Sequence, residues 1–374
     1  MGLSIPLTDL KIQHNEIAED VAAGWAEVVE TTSFVSGRHV AEFERAFAAF
    51  QAVAHCIGVG NGTDAIELAA RAVGIGPGDE VIVPANTFIA TALGVARTGA
   101  KPVLVDCDPS YHLIDATDVA RKLGPRTRAV FGVHLFGQIA PMEAVSEVIR
   151  GKDILMLEDA AQCHGAKRNG LSAGNFGALT ATSFYPGKNL GAYGDAGAVL
   201  TNSPGLAQRV VALRNYGSEV KYHHPEVGFN SRLDSLQAVV LIAKLKRLAA
   251  WNEFRRQAAS RYHELLSGLD SVTCPRVLAG NEHVWHLYVV RVPCRDEVLK
   301  KLNAAGIGAG VHYPVPIHLQ GAFKHLGHRR GDFPVAEQAA NEILSLPLYP
   351  GIKPEQQERV VGELEKALNT WRRP

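Results

Sequence analysis

Ser183-Phe184-Tyr185-Pro186-Gly187-Lys188-Asn189-Leu190-Gly191-Ala192-Tyr193-Gly194-Asp195-Ala196-Gly197 places a lysine in a glycine-rich connection between two apolar runs, Leu179 to Phe184 and Gly197 to Thr201. The connection lacks helical periodicity. A parallel crossover needs a helix or an equally long detour, so this link joins antiparallel strands and holds Lys188 on a structured loop beside a sheet. Most lysines are solvated, and Lys188 acquires a chemical reading only from its surroundings.

Upstream, the apolar run Ile154-Leu155-Met156-Leu157 reads as a buried strand and ends in Glu158-Asp159-Ala160-Ala161-Gln162. A carboxylate at a strand's C-terminal end lies where open α/β sheets bind ligands. Taken alone, Asp159 reads as the N-cap of a following helix or as the partner of a surface arginine. Earlier still, the run His55 to Val59 feeds Gly60-Asn61-Gly62-Thr63-Asp64, which opens the helical pattern Ala65 to Val73. Free N–H groups at a helix start attract anions, and a small hydroxyl residue adds a donor. An anion cradle, a strand-end aspartate and a loop lysine are the parts of a pyridoxal phosphate site. The cradle holds the phosphate, the aspartate keeps the pyridine nitrogen protonated, and the lysine forms the Schiff base and moves protons.

Gly-Asn-Gly-Thr-Asp-Ala at 60–65, Pro-Ala-Asn-Thr-Phe at 84–88, Glu-Asp-Ala-Ala-Gln at 158–162, Ser-Phe-Tyr-Pro-Gly-Lys-Asn-Leu-Gly at 183–191 and Asn-Ser-Arg-Leu-Asp at 230–234 follow one another in register. In these the chain resembles the DegT-type sugar aminotransferases over nearly its whole length. Those are fold-type I enzymes, related in architecture to aspartate aminotransferase. The resemblance implies that Lys188 and Asp159 are catalytic and that Gly62, Thr63 and Ser183 meet the phosphate. It implies that Phe88 stacks on the pyridine face, against the alternative of an ordinary core phenylalanine, and that Gln162 lies near the cofactor hydroxyl. Asn230 would reach the phosphate from the neighbouring subunit, which brings a homodimer with shared sites. Where the family commonly has Gly-Asp-Gly-Gly, this chain has Gly194-Asp195-Ala196-Gly197, so φ at Ala196 must stay negative or the turn is strained.

The family resemblance also implies a reaction. A small group of relatives carries histidine at the lysine position and dehydrates the sugar; this chain has Lys188. L-Glutamate is then the amino donor and a nucleotide-linked keto sugar the acceptor. The residues around Lys188 resemble the subgroup acting at C3, which favours a dTDP-linked 3-keto-6-deoxyhexose over transamination at C4 or of a UDP-linked sugar. Lys221 and Tyr222 are candidates for the diphosphate, with Tyr185, His312 and Tyr313 near the sugar. Prolines around His312-Tyr313 impose an extended backbone. The competing readings are a solvated Lys221, and His312 and Tyr313 that merely satisfy each other. A different class, a non-catalytic cofactor-binding or nucleotide-sugar-binding regulatory protein, is weighed against by Lys188, Asp159 and Gln162 occurring together.

The chain has 374 residues, enough for two domains at about 150 residues each. Its 38 basic and 38 acidic side chains balance, which gives no extended basic surface for nucleic acid. Cys56, Cys107, Cys163, Cys274 and Cys294 are scattered without a Cys-x-x-Cys pair, as expected of reduced thiols in the cytoplasm and not of structural zinc. The first residues, Met1 to Pro6, show neither a signal-peptide pattern nor a hydroxyl residue at position 6 for myristoylation, and no run is long enough to span a bilayer. Glycines at 58, 60 and 62 hint at a dinucleotide fold, but Thr63 and Pro84-Ala85-Asn86 replace the third glycine and the acidic residue. The histidines show no catalytic metal-ligand spacing, and no metal is expected.

Apolar periodicity predicts helices over 17–29 and 40–50, then strands over 55–59, 81–83, 102–105, 129–133, 154–157, 179–184 and 197–201 alternating with helices. The expectation is an α/β, fold-type I aminotransferase-like chain. Residues 1–240 form a large cofactor-binding domain around a seven-stranded mixed sheet with helices on both faces. Residues 241–374 form a smaller C-terminal α+β domain, entered through a long helical pattern, 235–265.

Overall fold

The computed structural model describes residues 4–369. Met1 to Leu3, part of the stretch read for a targeting segment, lie outside them. Three helices, α1 (Leu10–Asn15), α2 (Ala18–Glu30) and α3 (Arg38–Phe50), precede β1 (His55–Val59). The two expected N-terminal helices are α2 and α3. The short α1 escapes periodicity and is started by Asp9, whose carboxylate accepts from the Lys11 N–H.

Alternation then proceeds through α4 (Gly62–Ala72), β2 (Glu80–Pro84), α5 (Ile89–Arg97), β3 (Lys101–Val105), α6 (Ala116–Lys122), β4 (Thr127–Val133), α7 (Met142–Ile149) and β5 (Leu155–Asp159). Two-residue strands β6 (Lys167–Arg168) and β7 (Leu171–Ser172) lead to β8 (Leu179–Ser183) and β9 (Gly197–Thr201). All seven expected strands form one sheet in the order β1-β9-β8-β5-β4-β2-β3. β9 pairs antiparallel with both β8 and β1, whereas β8, β5, β4, β2 and β3 pair parallel, so β9 runs against the other six.

That direction decides where the site lies. The ends of β1, β2, β5 and β8 deliver Gly60 to Thr63, Asn86 to Phe88, Asp159 and Ser183 to one edge of the sheet. The chain then turns back into β9 through the Lys188 connection. Strand residues alternate between layers: Val81 and Val83 pack with α4 and α5, while Ile82 packs with α6 and α7. Full burial of such a side chain contributes about 1.5–3 kcal/mol, so the central strands, covered on both faces, hold this edge firmly.

After α8 (Pro204–Arg214) comes α9 (Ser235–Leu266), close to the expected 235–265. It buries different faces along its length: Leu241 and Leu248 pack against α3, Val240 and Trp251 against α2, and Tyr262 and Leu266 in the C-terminal core. β10 (Asn281–Glu282) joins β6, and β11 (Tyr288–Arg291) pairs antiparallel with β12 (Ile343–Leu346). Around them lie α10 (Arg295–Ala304), α11 (Pro334–Glu342) and α12 (Pro354–Asn369). Among the described residues no helix is long and apolar enough to cross a membrane.

Candidate active site

Asn61 caps α4 by accepting from the Asp64 N–H at 2.9 Å. The first-turn N–H groups of Gly62 and Thr63 have no intrahelical acceptor and are available beyond the helix start. A Cβ at Gly62 would stand 2.5 Å from Ser183 Cβ, so glycine is what allows α4 to begin against the end of β8. Together the helix start and Ser183 make a polar cradle of the kind that takes an anion.

Asp159 ends β5 with its side chain buried and held at both oxygens. Oδ2 accepts from Thr91 Oγ1 at 2.7 Å and Oδ1 from the Ala161 N–H at 3.1 Å. The alternative of Asp159 as a helix cap fails, since no helix follows it and residues 161–165 are turns, and no arginine pairs with the carboxylate among the described residues. Its neighbour Glu158 points to the opposite face of the strand, fully buried. There it accepts from His134 Nε2, Thr180 Oγ1 and the Gly177 N–H, and so it secures the strand rather than the site.

The Lys188 turn is braced from several sides. Its N–H donates to Tyr185 O at 2.8 Å, and Ala192 N–H donates to Phe184 O at 2.7 Å. Buried Asn189 donates to Asn252 Oδ1 and to Val284 O, each at 3.0 Å. Ala196 keeps φ out of the left-handed region, so the departure from the glycine pattern brings no strain. Burial draws the Lys188 ammonium pKa down to about 8, against the opposing pull of the Asp159 carboxylate. Burial and then the Lys188 charge lower His164 to about 3 and His312 to about 4, so these rings are neutral beside the amine.

Gln162 Oε1 accepts from the Phe136 N–H at 2.7 Å, and its Nε2 donates to the Tyr313 hydroxyl at 2.9 Å. Tyr313 lies 5.1 Å from Phe88, ring centre to ring centre. Phe88 is 51% exposed, which rules out the alternative of a core phenylalanine and leaves a ring face free at the cradle edge. The His312 and Tyr313 rings pack edge to face, 5.6 Å between centres, but their polar atoms pair elsewhere, His312 Nδ1 with Ser345 Oγ at 2.8 Å and the Tyr313 hydroxyl with Gln162.

The structure thus gathers Gly62, Thr63, Ser183, Asp159, Gln162, Lys188, Phe88, His312 and Tyr313 at one edge of the sheet. Tyr185 stands beside them, 60% exposed. Lys221, Tyr222 and Asn230 do not join them within this chain. They lie exposed on the 215–230 loop, with the Lys221 ammonium 5.0 Å over the Tyr222 ring. Ser231, next to Asn230, accepts from the Gly60 N–H and donates to Asp64, so the root of that loop is tied to the start of α4. Thr91, His164, Asn189 and His286, whose Nδ1 pairs with Asn189 Oδ1 at 3.2 Å, were missed as members. Thr91 had a local signal only in its place, in the first turn of α5 just after Phe88.

A profile of the DegT/DnrJ/EryC1/StrS aminotransferase family matches residues 15–365. This chain belongs to that family. It is accordingly a pyridoxal phosphate-dependent sugar aminotransferase. Among DegT-family relatives, it is 43% identical to dTDP-3-amino-3,4,6-trideoxy-α-D-glucose transaminase of Streptomyces venezuelae, over 98% of this chain and 96% of that one. It is 44% identical to a protein of Geobacillus stearothermophilus named pleiotropic regulatory protein, over 97% and 98% of the two chains. The crystal structure of S. venezuelae DesV with a ketimine intermediate superposes with a TM-score of 0.95 at 42% identity, covering 98% of this chain and 99% of DesV. The residues at hand fit the family cofactor. The glycine-lined cradle at Gly62 suits a phosphate, the doubly held Asp159 supplies a fixed negative charge, and Lys188 supplies an amine freed in part of its proton.

Proposed function

We propose that this chain transfers the amino group of L-glutamate to C3 of a dTDP-linked 3-keto-6-deoxyhexose. The observation that carries the reading is Lys188: an amine whose pKa burial draws down to about 8, near enough to the Asp159 carboxylate to feel its charge. A general acid–base works best with a pKa near the working pH.

Pyridoxal phosphate supplies an electron-accepting ring and an aldehyde carbon that carries nitrogen between two substrates. The N–H groups of Gly62 and Thr63 and the Ser183 hydroxyl hold the phosphate. Asp159, fixed by Thr91 and Ala161, would keep a proton on the ring nitrogen, and Phe88 would lie against the ring. Gln162 orients the ring hydroxyl side while restraining Tyr313. Lys188 Nζ would hold the cofactor between turnovers and, once released, move the proton at the substrate carbon. Tyr185, His312 and Tyr313 contact the sugar, and Lys221 with Tyr222 meets the diphosphate, lysine acting as a point charge.

The same reading includes a homodimer in which Asn230 completes the partner's phosphate cradle. Apolar side chains left on the surface support it: Phe34 and Val35, and Tyr216, Val220, Tyr222 and Val227 on the 215–230 loop. Phe34 O accepts from the Ser235 N–H, which puts the first pair beside the 230–234 segment. The five cysteines are unpaired, as suits a reducing compartment, and we assign the enzyme to the cytoplasm.

A panel of dTDP- and UDP-linked 3-keto and 4-keto sugars, assayed with L-glutamate, tests the acceptor. Preference for a 4-keto or UDP-linked sugar would overturn that part of the proposal. The name of the Geobacillus relative favours a second reading, a binding protein with a regulatory role. A visible absorbance scan separates the two: a yellow protein that bleaches with L-glutamate is a working transaminase, and one whose colour ignores L-glutamate is not.

A further inference from the structure

A small cavity, partly open to solvent, lies between Asn86, His112 and Phe136 on the sheet side and His312, Tyr313 and Pro316 opposite, with alanines of α11 at its back. The part of it that a water-sized sphere can enter, about 10 Å³, is room for one water molecule. Two of the lining residues each carry a buried polar atom without a partner, Asn86 Oδ1 and His112 Nδ1. Native proteins rarely leave such atoms unsatisfied, and buried water is the usual partner.

The chemistry of both atoms is fixed by their surroundings. Asn86 Nδ2 donates to the His112 carbonyl oxygen at 2.8 Å, so the amide atom left over is an acceptor. Burial lowers the His112 pKa to about 4, so its ring is neutral and Nδ1 is either a single donor or a single acceptor. Water, with two donors and two lone pairs, serves either form. An ion does not, because neither a carboxylate nor a charged ring lines the cavity to offset it.

We infer that one structural water fills this cavity, donating to Asn86 Oδ1 and pairing with His112 Nδ1, and that it positions the His312–Tyr313 segment. Asn86 extends β2, and His112 lies between β3 and α6. The water joins the two loops to each other and supports, by filling the space behind it, the segment whose front carries the Tyr313 hydroxyl on Gln162 and the His312 ring on Ser345. Asn86 and His112 are therefore positioning residues. The consequence for turnover rests on the proposal that His312 and Tyr313 meet the sugar. On that reading, loss of the water raises KM for the sugar and leaves kcat nearly unchanged.

The test is a crystal structure of the substrate-free protein at a resolution that shows ordered water, for the native chain, Asn86→Leu and His112→Asn. Asparagine tolerates the φ of 57° at residue 112 and offers a polar atom near the position of Nδ1. The expected result is one density peak within hydrogen-bond distance of Asn86 Oδ1 and His112 Nδ1 in the native chain. It should be lost in Asn86→Leu with the Gln162–Tyr313 bond broken or split between conformers, and kept in His112→Asn with that bond intact. An empty native cavity, or a peak that survives Asn86→Leu, overturns the water site. An unmoved Tyr313 in Asn86→Leu, or a KM equal to the native value once the sugar is identified, overturns the positioning role. Because the density is read without substrate, a wrong sugar assignment has no bearing on whether the water is there.

Discussion

Thr91 Oγ1 donates to Asp159 Oδ2 at 2.7 Å, joining the first turn of α5 to the end of β5 inside the protein. Thr91→Val keeps the shape and removes that donor, leaving a buried carboxylate oxygen without a partner. The expected loss is about 1–3 kcal/mol of unfolding free energy, measured by urea denaturation. Amine transfer should fall as well, since Asp159 is no longer held on both oxygens. Asp159→Asn, which keeps shape but loses charge, should fall much further in activity than Thr91→Val. Equal activities would mean that the charge at residue 159 has no special task.

Gly62→Ala should weaken cofactor binding, because the new Cβ stands 2.5 Å from Ser183 Cβ and forces the cradle apart. Titration of the apoprotein with the cofactor, followed by visible absorbance, reads the change in Kd. Adding Ser183→Gly removes the clash but also a hydroxyl donor, so the double variant should bind better than the sum of the two single losses predicts. Strict additivity would show that the two residues do not share the cradle.

Much of this arrangement is legible along the chain, for definite reasons. Val81-Ile82-Val83 and Ile154 to Leu157 are apolar runs with turn residues at their ends, so the strands declare themselves. The connection between Leu179 and Thr201 carries no helical pattern, which leaves no crossover helix and so signals the antiparallel return into β9. What stays hidden depends on residues distant in sequence: Gln162 meets Tyr313, and Asn189 meets Asn252 and Val284, through folding alone. Asp159 resembles a helix cap locally because the turns after it look no different in composition from a helix start. Phe88 reads as core by type, and only its place at the open end of β2 leaves it exposed.

Lys244 offers a pH test away from the cofactor. It is buried in α9 with its ammonium 4.8 Å over the Tyr193 ring, and burial lowers its pKa from 10.5 to about 8. Because the folded chain resists this proton, the penalty is fully present below pH 8 and fades as pH rises from about 8 towards 10.5. Lys244→Met removes the penalty and forfeits the ring contact, for a net gain of about 1–3 kcal/mol at pH 7. Denaturant unfolding at pH 7 and near pH 10 should give a gain that shrinks with pH. A constant gain would mean that the charge is not the cause.

Shared sites predict complementation. Lys188→Ala and a severely impaired Asn230 variant, mixed and allowed to exchange chains, should form heterodimers with one site carrying both defects and the other neither. Activity then returns, because a two-fold interface repeats each contact twice. No recovery in proven heterodimers, or a monomer by light scattering under assay conditions, would show that each chain builds its site alone.

Lys188→Ala should fold normally and lose turnover by at least the about 10²–10⁴-fold that a positioned acid–base contributes. Circular dichroism checks the fold and a coupled glutamate assay checks the rate. Turnover at the native rate would remove Lys188 from the chemistry.

The most direct measurement of the central claim follows nitrogen from donor to sugar. The protein, loaded with its cofactor, is incubated with ¹⁵N-labelled L-glutamate and a dTDP-linked 3-keto-6-deoxyhexose, and the sugar product is read by mass spectrometry and NMR. The account predicts ¹⁵N bonded to C3 of the sugar with 2-oxoglutarate released in equal amount. Label that stays in glutamate, or that reaches only a 4-keto sugar offered in parallel, would contradict it.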